Sequence, residues 1–170
     1  METIPELRRD VLVSIRPIYA SRIMNGQKTV ELRRRFPEAG ATGAVALIYS
    51  SSPVQAIVGY ARIKHVLKLP VSRIWEEHGE AACVSREAFD QYFGDLTVGF
   101  AILLDGVRSF KRELNAAHLE EKFGIVPPQS YRYVTGECIA LLIDEQFQTS
   151  NRYKHRNRAR GPSARSGVAR

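Results

Sequence analysis

Five ionisable side chains, Lys28, Glu31, Arg33, Arg34 and Arg35, are packed into eight positions shortly after Gly26. Their types suit an anion-reading surface. Arginine offers a planar fork that matches phosphate oxygens or base edges, and lysine offers a compact point charge. Glu31, set between cations, would orient them or accept a hydrogen bond from an exocyclic amine, as carboxylates do with cytosine. The bland counterpart is a solvated strand face laced with cross-strand ion pairs, each worth little, and composition alone leans slightly that way.

Two further features could touch a ligand. In the turn Tyr49-Ser-Ser-Ser52, the tyrosine could stack on a base and the Ser51 hydroxyl could bond phosphate; a plain turn with a half-buried tyrosine is an equal reading. From Thr149 onward there are seven cations and no acid, so that segment carries the whole net charge of +7 and the remainder is neutral. Such a tail can neutralise several phosphates in a salt-dependent, sequence-blind way, or it merely solubilises. Other chemistry lacks its signature. His65, His78, His118 and His155 are isolated and give no metal-ligand spacing. There is no nucleophile elbow and no glycine-rich phosphate loop. No cofactor and no metal are expected.

The elements that must position these residues can be read from local signals. Val11–Ile15 is a short β-branched strand. Pro17 suits a helix start and Gly26 a helix end, giving a helix over Pro17–Asn25. The periodicity then becomes two: Val30 and Leu32 take one side, and Thr29, Glu31, Arg33 and Arg35 the other. Ala44–Tyr49 is a continuously apolar strand with both faces covered, and Gln55 to about Leu67 is a long strand with a bend at Gly59. Pro70–Gly79 and Ser85–Phe93 read as helices, the second capped by Ser85 and stopped by Gly94. Val98–Leu104 is a strand, Ala116–Phe123 a helix ended by Gly124, and Pro127–Ser130 extended. Cys138, Ile139, Leu142, Ile143 and Phe147 have helical spacing.

These elements predict one domain over 1–148 and a disordered basic tail over 149–170. The order is not an alternating βαβ pattern, so a curved, barrel-like mixed sheet is expected, in the α+β class. No apolar run approaches the roughly 20 residues of a membrane span, and the N-terminus has no secretory apolar region. Cys83 and Cys138 read as reduced thiols. A cytoplasmic protein with no membrane association is the expectation.

The segments Ser14–Ala20 and Ile23–Arg35, with Gly-x-Lys-x-x-Glu-x-Arg opening a strand, resemble the start of the ASCH domain family. Ile48–Pro53, Ile57–Gly59 and Pro127–Ser130 resemble its branch described as predicted transcriptional regulators. The resemblance covers about Val11 to Asp144. It implies a PUA-like pseudo-β-barrel with helices covering a cleft, lined by Lys28, Glu31 and Arg33, that binds RNA or a modified nucleoside. Some relatives are similar to amidohydrolases acting on acetylcytidine. They use a lysine matching Lys28, a threonine where this chain has Glu31, and a glutamate where this chain has Ala82, with Glu80 the nearest substitute. Others are similar to ribonucleases. The expected function is therefore an RNA- or nucleoside-binding module that regulates transcription or translation, with residues Lys28, Thr29, Glu31, Arg33, Arg35, Tyr49 and Ser51 at the ligand. The alternatives are an amidohydrolase or ribonuclease with Lys28 catalytic, or a regulatory accessory acting through a partner protein.

Overall fold

Alternation along β1 (Val11–Ile15) and β3 (Val45–Ser50) sets the architecture. Val11, Val13 and Ile15 join Ala46 and Ile48 in one apolar cluster, whereas Leu12, Leu47 and Tyr49 belong to another. Successive side chains of a strand point to opposite faces, so this sheet is apolar on both sides and needs cover on both.

The computed structural model describes residues 7–146. Its remaining elements are α1 (Pro17–Met24), β2 (Val30–Arg33), β4 (Ala56–Pro70), α2 (Val71–Ala82), α3 (Arg86–Phe93), β5 (Val98–Asn115), α4 (Ala116–Phe123), β6 (Tyr131–Tyr133) and α5 over 136–146. The expected tail and Phe147 lie outside the described residues. One sheet of order β2-β5-β4-β3-β1-β6 contains all six strands. Only β1 and β3 are parallel, and every other pair is antiparallel. Pairing between β4 and β5 shifts register at three places. Such irregularities bend a strand and increase its twist, and the sheet curls into a half-barrel around Ile48, Ile63 and Ile102. The α+β class and the barrel-like mixed sheet are as expected.

Helices cover what the curl leaves open. Ala20 and Ile23 of α1 join the interior cluster. Ile74 of α2 with Phe89 and Phe93 of α3 bury Val30 and Leu32 from outside, and α4 and α5 cover the Leu12–Leu47 face through Leu119, Ile139 and Leu142. Pro17 stands in the first turn of α1, Ser85 Oγ accepts from Ala88 N at 3.1 Å, and Gly94 and Gly124 follow the last residues of α3 and α4.

Two expectations change. Gly79 does not end α2, which runs on to Ala82, because the Trp75 ring packs where a Cβ would stand, 2.9 Å from its Cε3. The strand expected to end at Leu104 continues through Asn115. Its second half is rich in charge and carries little of the apolar signal that reveals a strand.

Candidate nucleic-acid interface

The path from α1 into β2 is clamped on both sides. Lys28 N donates to Arg22 O at 2.9 Å, and Thr29 N donates to Ala81 O at 3.0 Å. With Val30 and Leu32 turned under α2 and α3, the alternation of β2 sends Glu31 and Arg33 to the concave side. The charged face is therefore not solvated: Lys28, Glu31 and Arg33 are 2%, 8% and 7% exposed. The solvated-face reading fails for these three because the sheet curls over Glu31 and Arg33 and the end of α2 meets the Lys28 amine through the Ala82 carbonyl.

A connected polar unit results. Lys28 Nζ donates to Ala82 O at 2.6 Å, lies 3.4 Å from Glu31 Oε2, and sits 5.2 Å from the centre of the Tyr19 ring. Glu31 Oε1 is 3.1 Å from Arg33 Nη2. The same Nη2 donates to Ser14 O at 2.8 Å, and Nη1 donates to Ser130 Oγ at 3.4 Å. Arg33, on the edge strand β2, thus reaches β1 and the residue preceding β6, spanning the gap between the two free edges of the sheet. Burial pulls the Lys28 amine below the usual lysine range, against the Glu31 carboxylate that pulls it back up.

This unit is the floor of a cleft of about 780 Å³. Arg16 and Arg34, both exposed, add to its lining, so four cations face the single acid Glu31. Ser14, Ser51 and Ser130 bring hydroxyls, and Tyr19 and Tyr92 bring rings. A water-accessible hollow of this size with convergent polar groups is typical of a small-ligand site, and its charge selects anions.

Of the expected site residues, Lys28, Glu31, Arg33 and Ser51 meet in the cleft. Thr29 is exposed and makes main-chain bonds only, accepting from Leu104 N at 2.9 Å. Arg35 is exposed and lines a neighbouring hollow. Tyr49 does not line the cleft: its place in β3 puts it on the outer face with Leu47, 6% exposed, where burial pushes its phenol above the usual range. Glu80 is exposed, and Ala82 contributes only its carbonyl. Sequence reasoning missed Ser14, Arg16, Tyr92 and Ser130 as lining residues. Ser14, Arg16 and Ser130 stand within segments that carried the resemblance, which was the available signal. Tyr92 gave none, since a tyrosine at the end of an amphipathic helix reads as cover. Among the described residues no group of three His, Cys, Asp or Glu could hold a metal ion, and no helix is long and apolar enough to cross a membrane.

Comparison with known proteins agrees with this geometry. The ASCH domain family model matches residues 13–125. A protein of Zymomonas mobilis named ASCH domain-containing ribonuclease is 32% identical over 144 residues, covering 84% of this chain and 95% of the relative. The crystal structure of ASCH from Zymomonas mobilis superposes with a TM-score of 0.74 at 30% identity, covering 79% of this chain and 94% of that one. A Pseudomonas putida structure at 19% identity and a TM-score of 0.53, covering 80% and 98%, shares the fold.

Proposed function

The chain belongs to the ASCH domain family, and from that premise we propose that it binds RNA in the cleft over β2 and cleaves it. The observation that carries the reading is the buried Lys28–Glu31–Arg33 unit at the floor of a cation-lined cleft. Arg16 and Arg34 at the surface would hold phosphates, while Arg33, fixed by Ser14, Glu31 and Ser130, presents a pre-oriented guanidinium. The ribonuclease name of the Zymomonas relative favours cleavage over binding alone.

Cleavage in this reading is a transesterification. The 2′-oxygen bonds to phosphorus as the bond from phosphorus to the 5′-oxygen breaks, and one proton passes from the 2′-hydroxyl to the departing oxygen. Lys28 is the group in place to handle that proton, because burial lowers its pKa towards the range where general acid–base exchange is efficient. Glu31 keeps the amine oriented. The protein is read as cytoplasmic, with its tail over 149–170 adding sequence-blind affinity, and a role in regulating transcription or translation would follow from RNA binding.

The test is a gel-shift and cleavage assay on end-labelled single-stranded RNA with the full chain at low salt. Lys28→Ala should retain binding and lose cleavage, Arg33→Ala should weaken binding about tenfold, and removal of 151–170 should flatten the salt dependence. Absence of both binding and cleavage refutes the proposal. Binding with no cleavage in the wild type removes its enzymatic half, and release of acetate from acetylcytidine would assign the cleft to deacylation.

A further inference from the structure

A second hollow of about 600 Å³ adjoins the cleft and shares Arg33, Arg34, Tyr92 and Ser130 with it. Beyond the shared residues, it is lined by Arg35, Phe93, Asp95 and Leu96 among others. Three arginines therefore meet one acid, beside an apolar side chain, Leu96, that is 44% exposed. Electrostatically the second hollow repeats the first, and the two share one wall.

Tyr92, common to both, is built as a fixed platform. Its hydroxyl donates to Leu32 O and accepts from Arg34 N, each at 3.3 Å, so the ring is tied to the end of β2. The Phe93 ring meets it edge-on at 5.1 Å. Arg34 Nε donates to Tyr92 O at 3.0 Å, and its guanidinium lies 5.7 Å from the ring centre. Tyr92 as a whole residue remains 39% exposed. Immobile aromatic faces flanked by arginines are how proteins hold successive bases of a single strand. Arg33, the other shared cation, has a side chain only 9% exposed, yet its Nε has no hydrogen-bond partner among the described residues. A buried donor of this kind is costly unless a ligand acceptor completes it.

We propose that the second hollow takes the nucleotide next to the one held over Lys28, so that the ligand is a strand of at least two nucleotides and not a free nucleoside or mononucleotide. The inference rests on the RNA reading of the first cleft and narrows its substrate class. It gives Arg35 and Leu96 a role in affinity for the strand, and none in binding the first nucleotide.

The experiment measures binding of fluorescein-labelled hexauridylate and of uridine 3′-monophosphate to the full chain at low salt. Arg35→Ala and Leu96→Asp, both at exposed positions, are compared with Arg108→Ala, which removes an exposed cation outside both hollows. Hexauridylate should bind more tightly than the mononucleotide. Each variant of the second hollow should lose about fivefold or more for hexauridylate while its affinity for the mononucleotide is unchanged, and Arg108→Ala should change neither. Undiminished hexauridylate binding in Arg35→Ala and Leu96→Asp overturns the second site, as does an equal loss in Arg108→Ala. Binding of neither probe by the wild type overturns the RNA reading itself, a result distinct from failure of the second site.

Discussion

Glu31→Gln is the sharpest perturbation of the polar floor, because it keeps shape and removes one charge from between two buried cations. At an effective dielectric of about 20, contacts of 3.4 Å to Lys28 and 3.1 Å to Arg33 are each worth about 5 kcal/mol of gross attraction. Much of this is offset by the cost of burying the carboxylate, several kcal/mol per ion, which the variant no longer bears. The loss is limited again by Lys28. If left unpaired, its amine can shed its proton, and neutralising an ordinary lysine at pH 7 costs about 5 kcal/mol. The expected destabilisation is therefore about 3–5 kcal/mol. The loss should also carry a pH signature. Lys28 has a folded pKa below its unfolded value of about 10.4, so between those two values the unfolded chain binds more protons and stability rises with pH. Removing the carboxylate lowers the folded value further and extends that rise towards neutrality. Urea unfolding, followed by fluorescence of the single tryptophan Trp75 from about pH 7 to about pH 9.5, below the tyrosine range, measures both effects. A loss under about 1 kcal/mol, or a pH dependence parallel to that of the wild type, would refute the electrostatic account of the floor.

Two further outcomes test the scaffold. In Gly59→Ala the new Cβ would collide with Arg108 O, with Met24 Sδ at 2.6 Å and with Ser109 Cα at 3.0 Å; since two of these are backbone, a loss of about 1–3 kcal/mol is expected, and a urea midpoint matching wild type would contradict the close approach of β5 and α1. Glu145, on α5, meets His118 Nε2 at 2.8 Å and Lys122 Nζ at 3.0 Å on α4. Burial pushes its carboxyl up, but the Lys122 and His118 hydrogen bonds outweigh that and hold it below the usual range. Its stabilisation is present above the unfolded pKa and lost as pH falls through the folded one. Glu145→Gln should cost about 1 kcal/mol at neutral pH and little at about pH 3, whereas an equal cost at both would show that the charge is irrelevant.

Capping and turn residues act over three or four positions, so they are legible without the fold. Pro17, Ser85, Gly94 and Gly124 mark helix ends where they were read, and the alternation of β2 was plain from Val30 and Leu32. The same alternation placed Glu31 and Arg33 together on one side of that strand, with Thr29 and Arg35. What that side meets was not local. Composition could not distinguish a solvated ladder from a buried unit, because burial of Glu31 and Arg33 arises from the curl of β4 and β5, and that of Lys28 from the end of α2, far along the chain. Tyr49 was misplaced for a related reason: with both faces of β3 apolar, its alternation does not say which face is the cleft. Gly79 looked like a stop until Trp75 was found packed against it. The sequence by itself therefore determined most of the elements, the spacing of the charges and the family to which they belong. Only the tertiary structure brought Ser14, Arg33 and Ser130 together across the open edges of the sheet, because the sheet's curvature is a sum over many long-range contacts that no short stretch of chain encodes.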